Sequence, residues 1–187
     1  MPNSLLAAAL LLVGVSLSSC EQSTRSESPH DAPAPESWQL HLKPTTLDKD
    51  AKLSMQESIY IPIYSHIYVE NEKRVADLAA TLSFRNIDPD KQLILKSVRY
   101  YSSDGKLIKE YLKSPVLVEP LATADFVIDK EDTSGGSGAN FIVDWCAKSA
   151  MNEPLAEAVM VGTGSPQSMS FTSRGVVLKK YDSKPKE

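Results

Sequence analysis

Apolar side chains recur at every second position in this chain, in short runs separated by turn-forming residues. In VADLAATLSFR, Ala76, Leu78, Ala80, Leu82 and Phe84 fall on one side, with Asp77, Thr81, Ser83 and Arg85 on the other. A period of two is the signature of an extended strand with one face buried; a helix face repeats every 3.6 residues. ATADFVID repeats the pattern with Ala122, Ala124, Phe126 and Ile128, and NFIVDWCA with Phe141, Val143 and Trp145. LILKSVRYYS is rich in strand formers but alternates poorly, which predicts a bulge or burial on both faces. LAEAVMVG reads as a strand from its Val159-Met160-Val161 end and the Gly162 stop. Turn chemistry divides these runs. NIDPDKQ is a turn, Asp104-Gly105 in SSDGK suits a type I′ hairpin, and Arg174-Gly175 between MSFTS and VVLKK predicts a closing hairpin. Seven to nine short strands with frequent turns predict an all-β fold, an immunoglobulin-like β-sandwich.

The domain expected from this pattern runs from 58 to 179, a length that allows a single core. Ahead of it, EQSTRSESPHDAPAP is polar and rich in Ser and Pro, so it cannot bury enough surface to offset chain entropy. Residues 20–57 therefore read as a mostly disordered tether, although Trp38, Leu40 and Leu42 alternate as in a short early strand. Residues 180–187 read as a flexible tail. At the other end, Leu5 to Val15 form an apolar run of the length of a signal-peptide core, too short to span a bilayer. Leu17, Ser18, Ser19 and Cys20 follow it and resemble the lipobox of bacterial lipoproteins. That resemblance makes 1–19 a signal peptide and puts the lipid, with its palmitate-type acyl chains, on Cys20. Without Lys or Arg in MPNS, an ordinary secreted protein cleaved nearby is the alternative reading.

The leader has no charged side chain, so the formal charge of −4 belongs to the mature part. Mild acidity without a basic face argues against nucleic acid as a partner. With Cys20 lipidated, Cys146 is left alone in the apolar run FIVDWC and reads as a buried, inert thiol.

YIPIYSHIY, LAATLSFRN, VRYYSSDGK, GGSGANFIVDW, NEPLAEAVMVGT and SFTSRG, in this order over about residues 55 to 178, resemble an uncharacterised bacterial family, the domain of unknown function 3124. Its members resemble lipoproteins of the cell envelope. The resemblance implies the same fold and compartment and supplies no activity.

The chemistry must then come from the residues. In YIPIYSHIY, alternation sends Ile59, Ile61, Ile63 and Ile67 one way and Tyr60, Pro62, Tyr64, His66 and Tyr68 the other. Pro62 has no N–H for a ladder, which predicts an edge strand or a bulge. Its outer face would then be an aromatic strip, and Tyr60, Tyr64, His66 and Tyr68 are candidate binding residues. Blunting of a sheet edge is the alternative role for the same residues. His66 has no second ligand at metal-binding spacing, and Ser65-His66 lacks the GxSxG elbow of a hydrolase.

DKEDTSGGSGAN lacks the EF-hand order and the Lys-Ser/Thr of a P-loop. It reads as a flexible hairpin loop whose glycines Gly135, Gly136 and Gly138 reach positive φ and leave N–H groups to rim a site. Asp144, facing out between Ile142 and Cys146, needs a partner among Arg85, Arg99 and Lys148; an ion pair is expected ahead of a general acid.

These observations lead to a lipid-anchored envelope protein, on the outer membrane facing the periplasm given Glu21 after Cys20. Its domain would be a non-enzymatic binding or assembly module for another envelope protein, with no cofactor or metal. The alternative is a small-ligand receptor or hydrolase with a pocket around Asn140, Asp144 and Trp145.

Overall fold

A computed structural model describes residues 42–164 and 168–181. The readings made for Cys20, the leader, the tether as far as His41 and the tail beyond Tyr181 lie outside these residues.

The described residues form thirteen strands and no helix. In chain order they are β1 (Lys43–Pro44), β2 (Met55–Pro62), β3 (His66–Tyr68), β4 (Val75–Asp77), β5 (Ala79–Arg85), β6 (Leu93–Tyr101) and β7 (Leu107–Glu110). They continue as β8 (Val116–Val118), β9 (Thr123–Ile128), β10 (Asn140–Ala147), β11 (Leu155–Gly162), β12 (Met169–Arg174) and β13 (Val176–Lys180). Eight of the thirteen have five residues or more, which matches the seven to nine expected; the others have two to four. A seven-stranded sheet has the order β1-β8-β6-β10-β2-β13, with β7 paired to β6. A four-stranded sheet has the order β12-β11-β5-β9, and β3 and β4 form a separate ribbon. Every pairing is antiparallel. The architecture is a β-sandwich.

Alternation sets the core as expected. Leu82, Phe84, Phe126 and Ala124 of the small sheet and Ile61, Tyr100, Phe141 and Trp145 of the large sheet are all fully buried. Each side chain of the Phe or Leu class adds roughly 1.5–3 kcal/mol of transfer free energy when withdrawn from water. β6 explains its own imperfect pattern. Asp144 faces Ser97 but Trp145 faces Leu95, so Lys96 is an extra residue. This bulge moves the inward positions from Leu93 and Leu95 to Val98 and Tyr100, all fully buried.

Five expectations are corrected. β2 lies between β10 and β13, so Tyr60 is not on an edge strand; the rest of YIPIYSHIY has no β13 partner, and His66–Tyr68 pairs with β4 alone. Pro62 is tolerated because it is the last residue of β2, where the ladder ends. The Asp104-Gly105 turn is not type I′. Gly105 has φ 78° while Asp104 is not among the positive-φ residues, and the Ser102 N–H donates to the Lys106 carbonyl at 2.9 Å. This is a three-residue loop with a glycine bulge, and the register slips there between Tyr100 and Tyr101. VADLAATLSFR is two strands broken at Leu78, whose N–H donates to the Ser65 carbonyl at 2.8 Å.

Finally, MSFTSRGVVLKK is no hairpin. β12 pairs with β11 in the small sheet and β13 with β2 in the large one. The chain changes sheets at Gly175, whose N–H donates to the Ala156 carbonyl at 2.8 Å. A Cβ there would lie 2.7 Å from Ile59 Cγ2, so the crossing needs a residue without a side chain. Residues 42–57, read with the tether, contribute buried Leu42, all of β1 and the first residues of β2.

Candidate functional site

The outer face of the large sheet gathers part of the residue set singled out from the sequence. Three cross-strand rows build it. Val176, Tyr60, Ile142, Arg99 and Glu110 stand side by side across β13, β2, β10, β6 and β7. Lys179, Ser58, Asp144 and Ser97 form the next row, and Pro62, Asn140 and Tyr101 the one on the other side of the first. Neighbours in such rows touch, although nothing in the local sequence relates them.

Asp144 is the hub. Its carboxylate accepts hydrogen bonds from the Ser58 hydroxyl, from Ser97 Oγ at 2.7 Å and from Arg99 Nη2 at 2.6 Å. Arg99 Nη1 reaches the Tyr101 hydroxyl at 3.3 Å. The pair is 30% and 22% exposed, so it is shielded without being fully desolvated. Glu110 flanks it and accepts from the Val98 N–H at 3.3 Å. Burial pushes the Glu110 carboxyl up, while that N–H and the Arg99 charge pull it down. Of the three partners considered for Asp144, Arg99 is the one observed. Three donors take three of the roughly four acceptor sites of this carboxylate, which makes Asp144 first of all a structural acceptor.

Trp145 does not join this group. It points to the other face of β10 and is fully buried, so Asn140, Asp144 and Trp145 do not line a common pocket. The aromatic strip is also divided. Tyr60 lies on the outer face of the large sheet. Tyr64 is half-buried, with its ring 5.8 Å from Phe171 of β12 in an edge-on contact. His66 and Tyr68 pair edge-on at 5.8 Å on the β3–β4 ribbon, where Tyr68 is 57% exposed. The division arises because the chain leaves the sheet after Pro62. Ile63 N–H then donates to the Ala139 carbonyl at 2.9 Å and Ser65 N–H to the Gly136 carbonyl at 3.0 Å.

Those bonds tie down the glycine loop, which is packed and not the open rim expected. Gly136 has φ 77°, the turn conformation anticipated, but Gly135 is buried against the Tyr100 hydroxyl. That hydroxyl shares a buried hydrogen bond of 3.0 Å with Ser65 Oγ. Asp129 and Asp132 spend carboxylate oxygens on the N–H groups of Glu131 and Ser134, each at 3.0 Å. Among the described residues, no three His, Cys, Asp or Glu side chains are grouped to hold a metal. Cys146 is buried and free, and burial pushes its thiol up, away from the reactive thiolate.

The sheet is open at β13. All five of its residues are exposed, with Val176, Val177 and Leu178 at 63%, 38% and 59%. β7 and β1 are also exposed throughout but are shorter. The end of β13 is clamped by Lys180, whose ammonium meets Glu153 and lies 2.8 Å from the nearly buried Glu57. These two carboxylates, Glu153 first, raise the Lys180 pKa. Sequence reasoning missed Ser58, Ser97, Glu57 and Lys180, because their partners lie on other strands.

Fold and site together define an all-antiparallel β-sandwich with a hydrogen-bonded Asp144–Arg99 network on the outer face of its large sheet and an exposed apolar edge strand. The sequence model of a family described as "Protein of unknown function (DUF3124)" matches residues 56–178, and the chain belongs to that family. A solved structure titled "Crystal Structure of Thermotoga maritima 1070" is 13% identical and covers 64% of this chain and 92% of its own, with a TM-score of 0.41. No curated protein matches the chain.

Proposed function

We propose that the protein is a lipid-anchored component of the cell envelope, held in the outer membrane through Cys20, whose sandwich is a non-enzymatic binding or assembly module. Its occupant is an extended segment of another envelope protein, added as a strand along β13. The carrying observation is that β13 closes one end of the large sheet with every residue exposed and three consecutive apolar side chains. An edge strand offers unpaired N–H and C=O groups, and soluble proteins normally blunt it with charge, proline or a covering loop. Strand addition uses those groups for affinity and alternate side chains for specificity. The Tyr60–Tyr68 stretch serves this reading only in part: Tyr60 borders β13 in register with Val176. The engagement of Asp144 and the burial of Trp145 give the pocketed receptor or hydrolase no support.

The test is site-specific photo-cross-linking in native membranes, with the reactive group at Leu178 and, as a control, at exposed Leu121 on the loop before β9. The reading expects a discrete envelope-protein adduct from Leu178 alone, abolished by Val176→Lys. Mass spectrometry of the mature N-terminal peptide should find acylated Cys20. Adducts at both positions or at neither, or an unmodified N-terminal peptide, would remove the corresponding half of the proposal.

A further inference from the structure

A second polar pair lies on the inner face of the large sheet, apart from the Asp144 network. β2 and β10 place Glu57 directly opposite Trp145. Residues so opposed share a face, with Cβ atoms about 4.5–5.5 Å apart. Glu57 is 3% exposed and Trp145 fully buried. Glu57 Oε1 is engaged from outside by Lys180 at 2.8 Å. Glu57 Oε2 and Trp145 Nε1, both buried, have no hydrogen-bond partner among the described residues. Buried polar atoms of this kind are rare because leaving them unpaired is costly, and each calls for an explanation.

The two atoms are chemically complementary. The carboxylate oxygen only accepts, and the indole N–H only donates. A cation would satisfy the oxygen and leave the indole unpaired, whereas an anion would do the reverse. A hydroxyl satisfies both, since its lone pair accepts while its proton is donated. Two clefts, of about 230 Å³ and 130 Å³, both have Glu57 and Glu153 in their walls and neither is lined by Trp145, so solvent-connected space reaches the carboxylate residue but not the indole. Their volumes suit a water or a small alcohol.

We propose that Glu57 and Trp145 form a hydroxyl-binding site between the sheets, in which one O–H group accepts from Trp145 Nε1–H and donates to Glu57 Oε2. The O–H comes from water or from the alcohol group of a small neutral ligand entering by the clefts. This site does not rest on the β13 edge reading, although β13 supplies Lys180 and Val177 to the cleft walls.

The test uses the full chain labelled with ¹⁵N. Its two tryptophans give two indole signals, and Trp38→Phe assigns that of Trp145. Trp145 is sealed from bulk solvent, so a magnetisation-transfer contact between its Nε1–H and an O–H proton must come from an internal hydroxyl. The expected result is such a contact in the native chain and its loss in Glu57→Leu. Should that variant fail to fold, Glu57→Gln keeps the volume, and the Trp145 indole signal should shift while that of Trp38 stays fixed. Titration with glycerol separates the two sources. Saturable replacement of the water contact by contacts to glycerol carbons marks a ligand alcohol, and an unchanged contact marks resident water. Absence of any O–H contact at Trp145, including a signal that depends on Glu57 without one, overturns the proposal. So does a contact unchanged in Glu57→Leu.

Discussion

Gly135→Ala should be among the most damaging single-methyl additions to this protein. Its backbone φ is ordinary, so the cost comes from space alone. An added Cβ would lie 2.0 Å from the Tyr100 hydroxyl oxygen, 2.6 Å from Ser65 Oγ and 2.8 Å from Ala139 Cβ. Normal contact begins near 3.4 Å, so the phenol would have to retreat by about 1.4 Å. It has little room. Tyr100 is fully buried, and its ring lies 5.6 Å from that of Phe141. Overpacking typically costs 1–3 kcal/mol, and this crowding places the variant near about 3 kcal/mol.

Tyr100→Phe should cost about 1 kcal/mol by stranding the Ser65 hydroxyl, its partner at 3.0 Å. Because Tyr100→Phe also removes the atom closest to the new methyl, the double variant should lose about 1–2 kcal/mol less than the sum of the two. The rescue stays partial because Ser65 and Ala139 still crowd the site. Urea denaturation at fixed pH measures all three. With a slope of about 1–3 kcal/mol/M, Gly135→Ala should move the midpoint down by at least about 1 M. A Gly135→Ala midpoint within about 0.5 kcal/mol of the native one, or strict additivity in the double variant, would refute the argument and restore a loosely held glycine loop.

Two further expectations concern the charged groups. Asp144→Ala should destabilise by about 2–3 kcal/mol, since Arg99, Ser58 and Ser97 lose a common acceptor; a urea midpoint equivalent to less than about 0.5 kcal/mol of loss would return Asp144 to the candidates for chemistry. Asp88 is held below its ordinary value of 3.8 by N–H groups of Asn152, Asp90 and Lys91, Asn152 first. A depressed carboxyl gives stability that is present above the unfolded value and lost as pH falls through the folded one, because the unfolded state binds more protons in that window. Asp88→Asn should therefore flatten the fall of stability below about pH 4; a native-like acid limb in the variant would contradict this assignment.

Much of the fold was legible because alternation is a local property. Phe84, Phe126, Phe141 and Trp145 could be assigned to the core from their own neighbours alone, and each is fully buried. The uneven rhythm of LILKSVRYYS left a bulge or burial on both faces open, and the pairing with β10 decided for a bulge at Lys96. Asp144 was legible as a group in need of a partner, and Arg99 was among those considered. Its serine donors were not legible, because Ser58 and Ser97 lie 86 and 47 residues away in the chain. The edge assignment failed at Tyr60, where β13 pairs with β2, for a related reason. The missing N–H of Pro62 constrains that one residue, and whether a strand follows on each side of β2 depends on β10 and β13.

By itself, then, the sequence determined which segments are extended and which face of each is oily, since that follows from side-chain direction along a single strand. Only the tertiary structure decided which strands are neighbours, in which register, and which one is left at the rim. Those choices depend on contacts between distant segments, such as the close approach at Gly175 that sends β12 and β13 to different sheets. Antiparallel ladders form between any two extended chains, so the backbone alone does not select a partner. Selection comes from how the inward side chains of both sheets fill one shared interior.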